Sequence, residues 1–230
     1  MAIFAIEHME GQESTPEALP IWIVLEYAHM LQLVAGSISS SQREHTSSVL
    51  FSNLSDHSAT YLTKQLDARK ATDATNPHSP YATSTTKIEA YLADHDIPKS
   101  KVCLLDPRAP QALSPADAAH FDVFLFGGIL GNDPPLDRTG ELRRLGFPGR
   151  HLREIQMTTD TAVGVTKLCV EDGLTLDQIP FIDHPTIEFN QHESTEMPFR
   201  YIVQKDNGGP LMPTGMKDCL YEDMNKSFDF

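Results

Sequence analysis

Three short segments in the second half of the chain combine acids, glycines and hydroxyls in the way a ligand-binding loop requires. In Leu104-Leu105-Asp106-Pro107-Arg108 an apolar run stops at an acid followed by a proline. In Phe126-Gly127-Gly128-Ile129-Leu130-Gly131-Asn132-Asp133-Pro134-Pro135 the glycines strip away side chains, so backbone amides and carbonyls can approach a ligand closely. Gln156-Met157-Thr158-Thr159-Asp160-Thr161 is polar and hydroxyl-rich where a helix should begin. One glycine-rich loop more often marks a tight turn, but three such segments at the ends of apolar runs are together stronger evidence of ligand binding. Phosphate chemistry is disfavoured: neither Gly-x-x-x-x-Gly-Lys-Ser/Thr nor Gly-x-Gly-x-x-Gly occurs, and no lysine lies near the glycines. Ten histidines raise the question of a metal, yet there is no His-Glu-x-x-His and no Cys-x-x-Cys, so none is expected. A cofactor without phosphates fits best.

The elements that must position these segments follow from periodicity. Apolar runs alternating with amphipathic stretches specify an α/β fold with a mostly parallel sheet, in which ligands sit outside the carboxyl ends of the strands. Strands are expected at 2–6, 48–54, 102–105, 122–130 and in a shorter run ending near Ile155. A helix over 21–35 should place Ile21, Leu25, Ala28, Leu31 and Val34 or Ala35 on one face, with Gly36 as its stop. Further helices are expected over 59–69, from the Ser114-Pro115-Ala116-Asp117 start through Phe121, and over 158–170 with Gly173 as the stop. Residues 71–86, rich in threonine, serine and proline, read as a flexible solvated loop. Asp206-Asn207-Gly208-Gly209 reads as the turn of a terminal hairpin between 199–203 and Leu211.

The 230 residues, 40% of them hydrophobic, suit a single domain over 1–230. Eighteen basic residues against 32 acidic ones leave a net charge of −14. An acidic surface disfavours direct RNA binding and favours a basic protein partner, although acidity also serves solubility alone. Three widely spaced cysteines, Cys103, Cys169 and Cys219, suit reduced, mostly buried thiols rather than a disulfide framework. The start lacks the pattern of a signal peptide, and no apolar stretch is long enough to span a membrane, so a soluble cytoplasmic protein is expected.

Taken in order, Ile6-Glu7-His8-Met9-Glu10, Trp22-Ile23-Val24-Leu25-Glu26-Tyr27, Val102-Cys103-Leu104-Leu105-Asp106-Pro107-Arg108-Ala109, the glycine loop, residues 156–162 and Glu196-Met197-Pro198-Phe199-Arg200-Tyr201 resemble the SPOUT-type protein arginine methyltransferases of fungi. That family modifies the third protein of the small ribosomal subunit. The resemblance covers nearly the whole chain, with departures at an extra segment, 12–20, and at the divergent 71–86 stretch.

The resemblance implies a SPOUT methyltransferase fold with a C-terminal trefoil knot, its cofactor-binding part at about 101–205. It implies S-adenosylmethionine as cofactor and S-adenosylhomocysteine as product. The cofactor residues it implies are Leu104, Leu105, Asp106, Phe126, Gly127, Gly128, Ile129, Leu130, Gly131, Gln156, Met157, Thr158, Thr159, Asp160 and Thr161. Leu104, Phe126 and Ile129 read equally well as core. An arginine substrate calls for carboxylates, because a guanidinium is a protonated, delocalised and poor nucleophile whose planar fork pairs with them. Glu7, Glu26 and Asp160 are the catalytic candidates, and Glu7, Glu26 and Asp133 the substrate-binding ones. Glu26 also suits a solvated helix face, and Asp160 a helix cap. Arg200 is a candidate for the cofactor carboxylate. The implied partner is a basic ribosomal protein, with monomer or homodimer left open. Competing readings are a SPOUT RNA methyltransferase acting on ribosomal or transfer RNA, and a non-catalytic ribosome assembly factor.

Overall fold

The computed structural model describes residues 2–9, 19–36, 47–72, 77–128 and 139–226. Among these, the main sheet consists of β1 (Ile3–His8), β2 (Ser48–Ser52), β3 (Tyr81–Thr83), β4 (Val102–Leu105), β5 (Val123–Gly128) and β6 (Gly149–Arg150), in the spatial order β3-β2-β1-β5-β4-β6. Every pairing is parallel, so the carboxyl ends of the strands share one edge. Helices α1 (Ile21–Ala35), α2 (Asp56–Thr72), α3 (Ile88–Asp94), α4 (Thr139–Arg144) and α5 (Thr159–Val170) cover the sheet, and α6 (Met216–Lys226) follows near the end.

Side chains alternate across a strand, and the two faces collect separate cores. Phe4, Ile6, Phe124, Phe126 and Leu105 pack with Ile23 of α1, Leu62 of α2 and Val163 of α5. Ala5, Leu104 and Leu125 pack with Ile88 and Leu92 of α3 and Leu142 of α4 on the opposite side. The sheet is therefore the middle of three layers.

Helix α1 has the predicted bounds, but its buried residues are Ile23, Val24, Leu25, Tyr27, Ala28, His29, Met30, Leu31 and Val34, nearly its whole circumference. Ile21 lies in the first turn, off that surface, and is 45% exposed, contrary to its expected place on the inner face. Gly36 caps the helix in an extended conformation, φ −65°, so its role is not that of a left-handed stop; Gly173, at φ +75°, does have that role. The contact between α1 and α5 is close because Gly164 faces Leu33: a Cβ there would sit 3.2 Å from Leu33 Cδ1 and 3.2 Å from Ile202 Cδ1.

Other boundaries moved for local reasons. β2 stops at Ser52 because Asn53 turns at φ 60°. The strand expected to end near Ile155 is reduced to β6; His151 keeps one bridge to Ala112, and Arg153 at φ 84° breaks the extended run. The Ser114 start has the reciprocal cap with Asp117, but the helix is a 3-10 turn over Pro115–Ala119. The 71–86 stretch is not one loop: its first two residues end α2, 73–76 lie outside the described residues, and Tyr81–Thr83 forms β3 beside β2. Beyond the main sheet, β7 (Phe181–Asp183) pairs antiparallel with β10 (Arg200–Ile202), and β8 (Thr186–Glu188) with β9 (Ser194–Glu196). The turn at 206–209 is present, but the expected hairpin is a single bridge, Val203 to Pro210, because β10 takes β7 as its ladder partner.

Candidate active site

The ends of β4 and β5 and the loop entering α5 surround a cavity of about 890 Å3. Leu105 and Asp106 come from the first, Phe126 and Gly127 from the second, and Gln156, Met157, Thr158, Thr159 and Asp160 from the third. The walls between them are partly apolar, with Leu152 and Ile155 beside Phe126, while α1 contributes Trp22 and Glu26 and β10 contributes Tyr201. Asp106 is buried and closes one side: Arg143 donates to it from Nε at 2.5 Å and from Nη2 at 2.7 Å, and the Arg108 amide donates at 3.0 Å. A bidentate pair of this kind fixes both side chains in the cavity wall.

The same cavity is lined by two interacting carboxyls, Glu26 of α1 and Asp160 of α5, together with Tyr201 of β10. Asp160, in the first turn of α5, is 1% exposed, and its Oδ2 lies 2.7 Å from Nδ1 of His29 on α1. Its other oxygen, Oδ1, is buried and has no hydrogen-bond partner among the described residues, and the same holds for the Tyr201 hydroxyl. Glu26 stands one turn before His29 on the same helix. Burial, reinforced by the negative charge of Asp160, pushes the Glu26 carboxyl well above the usual carboxylate range. Burial, then Asp160 and Glu26, raise the Tyr201 phenol too, which keeps it protonated. One buried carboxylate oxygen without a partner, beside a second carboxyl that burial holds towards its neutral form, is a setting that an incoming cation would relieve.

Packing explains how these groups meet. His29 to Asp160 is one rung between α1 and α5; Lys167, which donates to the Gly36 carbonyl and to both Asp172 oxygens, is a second. The rungs are seven residues apart on each helix, about 10 Å along the axis, so the helices run side by side in the same sense. Strand β10 is stitched to the α5 entry by the Arg200 amide donating to the Gln156 carbonyl at 2.8 Å, which sets Tyr201 against Asp160.

A protein-family model described as Protein arginine N-methyltransferase SFM1-like matches residues 3–227. The chain belongs to this family. Protein arginine N-methyltransferase SFM1 of Saccharomyces cerevisiae is 38% identical over 234 residues, spanning 98% of this chain and 97% of the relative. The crystal structure of yeast SFM1 complexed with SAM matches with a TM-score of 0.74 at 34% identity, covering 96% of this chain and 91% of that one. The structure complexed with SAH matches with a TM-score of 0.72 at 35% identity, covering 94% of this chain and 93% of that one. The mostly parallel α/β fold is thus that of SPOUT-like methyltransferase structures.

For this SFM1-like chain, the candidates named from sequence separate into three groups. Leu105, Asp106, Phe126, Gly127, Gln156, Met157, Thr158, Thr159, Asp160 and Glu26 line the cavity. Leu104, Gly128, Thr161 and Glu7 do not. Leu104 points into the core against α3, because alternation puts it opposite Leu105. Gly128 is a packing glycine: a Cβ would sit 2.7 Å from Ile6 Cγ2 and 2.8 Å from the Glu7 carbonyl oxygen. Thr161 is 2% exposed and accepts a hydrogen bond from Thr158 at 2.8 Å, inside the first turn of α5. Ile129, Leu130, Gly131 and Asp133 lie outside the described residues.

Glu7 is the largest departure. Its Oε2 accepts from Ser52 Oγ at 2.5 Å and from the Ile88 amide at 3.0 Å, so it ties β1 to β2 and satisfies the first turn of α3. Burial raises its carboxyl while these two hydrogen bonds pull it back. Arg200 is likewise committed elsewhere, bidentate to Asp183 at 2.6 and 2.8 Å and stacked 4.8 Å over Phe181. Sequence reading missed His29 and Tyr201. The only signal for either was spacing, with His29 three residues after Glu26 on one helix face and Tyr201 following Arg200 in a quoted motif.

Proposed function

We propose that the chain transfers a methyl group from S-adenosylmethionine to an arginine on a basic protein of the small ribosomal subunit, acting in the cytoplasm on a knotted SPOUT scaffold. The observation that carries this reading is Glu26 beside Asp160, both lining the cavity between the strand-end loops, with Asp160 Oδ1 buried and lacking a hydrogen-bond partner among the described residues. The cavity residues fit the cofactor: Phe126, Leu152 and Ile155 offer apolar walls to an adenosyl group, and at Gly127 the backbone is uncovered. When bound, S-adenosylmethionine supplies an electrophilic methyl group on a positively charged sulfur.

The remaining work falls to the chain's own groups. Methyl transfer replaces a sulfur–carbon bond with a nitrogen–carbon bond and releases one proton from the guanidinium, so alignment and a proton acceptor are what the site must provide. Asp160, anchored through Oδ2, orients the guanidinium. Glu26, whose carboxyl is raised by burial and by Asp160, takes the proton. The incoming cation first favours the ionised form of Glu26, and loss of the N–H proton then returns to it the proton affinity its setting creates. Protein is favoured over RNA as substrate because, of the basic cluster Arg143, Arg144, Arg150 and Arg153, Arg143 and Arg150 are held by the buried Asp106 and Asp117, and a net charge of −14 disfavours a polyanion.

Incubation with labelled S-adenosylmethionine and either ribosomal proteins or ribosomal RNA should place the label on protein arginine. Label on RNA sinks the substrate assignment, and tight cofactor binding without label on either favours a non-catalytic assembly factor.

A further inference from the structure

Among the described residues, two that line the cavity carry a buried polar atom with no hydrogen-bond partner: Asp160, at Oδ1, and Tyr201, at its hydroxyl. The other oxygen of the same carboxylate, Oδ2, is held at 2.7 Å by His29 from the neighbouring helix. A carboxylate free to rotate about its last torsion would average its two oxygens, since such terminal torsions are broad. A single strong donor on one oxygen locks the plane and aims the other.

We propose that His29 is a positioning residue for methyl transfer: its Nδ1–H holds Asp160 so that Oδ1 faces the guanidinium nitrogen that receives the methyl group. This rests on the arginine reading above. His29 touches neither substrate nor cofactor in this role. Its ring is buried in the α1–α5 contact, where the Gly164 approach sets the spacing. A donor one side-chain length away in the core thus fixes the plane of a carboxylate in the cavity wall, and misplacement by a fraction of an ångström is enough to slow an in-line displacement.

The hydrogen-bond direction is testable on the free protein, without methyl donor. Nitrogen-15 NMR of labelled histidine should find His29 protonated on Nδ1, with a strongly deshielded proton that disappears in Asp160→Asn. A neutral ring protonated only on Nε2, with Nδ1 accepting, overturns the proposal. In the transfer assay, His29→Leu should lower kcat by on the order of tenfold to a hundredfold. Its affinity for S-adenosylhomocysteine, read by calorimetry, should stay within a factor of about two because no bond to that ligand is lost. His29→Asn, whose amide N–H falls near the place of Nδ1, should recover most of the rate. Leucine and asparagine variants that fold, bind S-adenosylhomocysteine and are equally slow, or both as fast as the parent, overturn it. A parent protein that transfers no methyl group to any arginine fails one step earlier: the functional reading goes, and the role of His29 goes with it.

Discussion

At the residue scale, four carboxylates with similar sequence credentials have four different jobs, and environment alone separates them. Asp106 is neutralised by Arg143, Glu7 is absorbed by Ser52 and the Ile88 amide, Asp160 is half satisfied by His29, and Glu26 is raised by burial and its neighbour. Glu26→Gln should abolish measurable transfer while leaving S-adenosylhomocysteine binding intact in calorimetry. Its effect on stability has a definite sign. The folded-state value of Glu26 lies above the unfolded one, so its contribution is fully present below about 4.5 and is lost as pH rises through the elevated folded value. Thermal melts across pH should therefore show Glu26→Gln gaining on the parent as pH climbs from acid to neutral. Glu7→Ala belongs to a different class. Leaving the Ile88 amide buried without an acceptor, and the Ser52 hydroxyl with only its long 3.3 Å bond to the Ile6 carbonyl, should cost about 1–3 kcal/mol in denaturant unfolding, with kcat of the folded fraction little changed. A selective loss of kcat at unchanged stability would return Glu7 to the catalytic group.

At the element scale, glycine permits two close approaches. Strand β5 lies against β1 at Gly128, where an added Cβ meets the Glu7 carbonyl oxygen at 2.8 Å. Backbone cannot step aside as a side-chain tip can, so Gly128→Ala should lower stability by roughly 1–3 kcal/mol. Gly127→Ala, one residue earlier, meets Met9 Sδ at an ordinary 3.5 Å and should melt close to the parent. Helix α5 lies against α1 and β10 at Gly164. Gly164→Val should spread these elements, lengthen the His29 to Asp160 contact, and reduce transfer more than it reduces stability; equal loss of both would mean that the spacing matters only for folding.

At the scale of the whole molecule, the net charge of −14 and the acidic cavity favour a basic partner from a distance as well as in contact. Association should therefore weaken with salt: KM for a basic protein substrate should rise as the screening length shrinks from about 30 Å at 0.01 M to about 10 Å at 0.1 M. The binding constant of S-adenosylhomocysteine should move much less, and a KM indifferent to salt would argue against electrostatic attraction. No described helix is long and apolar enough to cross a membrane.

Local sequence determined the alternating architecture, the bounds of α1 and β4, and the three strand-end segments that border the cavity, because periodicity, prolines and glycines act over a few residues. The family resemblance, rather than local pattern, named Glu26 and Asp160 as candidates, alongside Glu7 and Asp133. Only the tertiary structure decided what these acids do. Alternation turned Leu104 away while leaving Leu105 in the cavity, and the pairing of β1 with β2 put Ser52 next to Glu7. Asp160 meets His29 across 131 positions of chain. The charge state of a carboxylate is set by what lies within a few ångströms of it, and in this fold those neighbours come from helices and strands far apart in sequence.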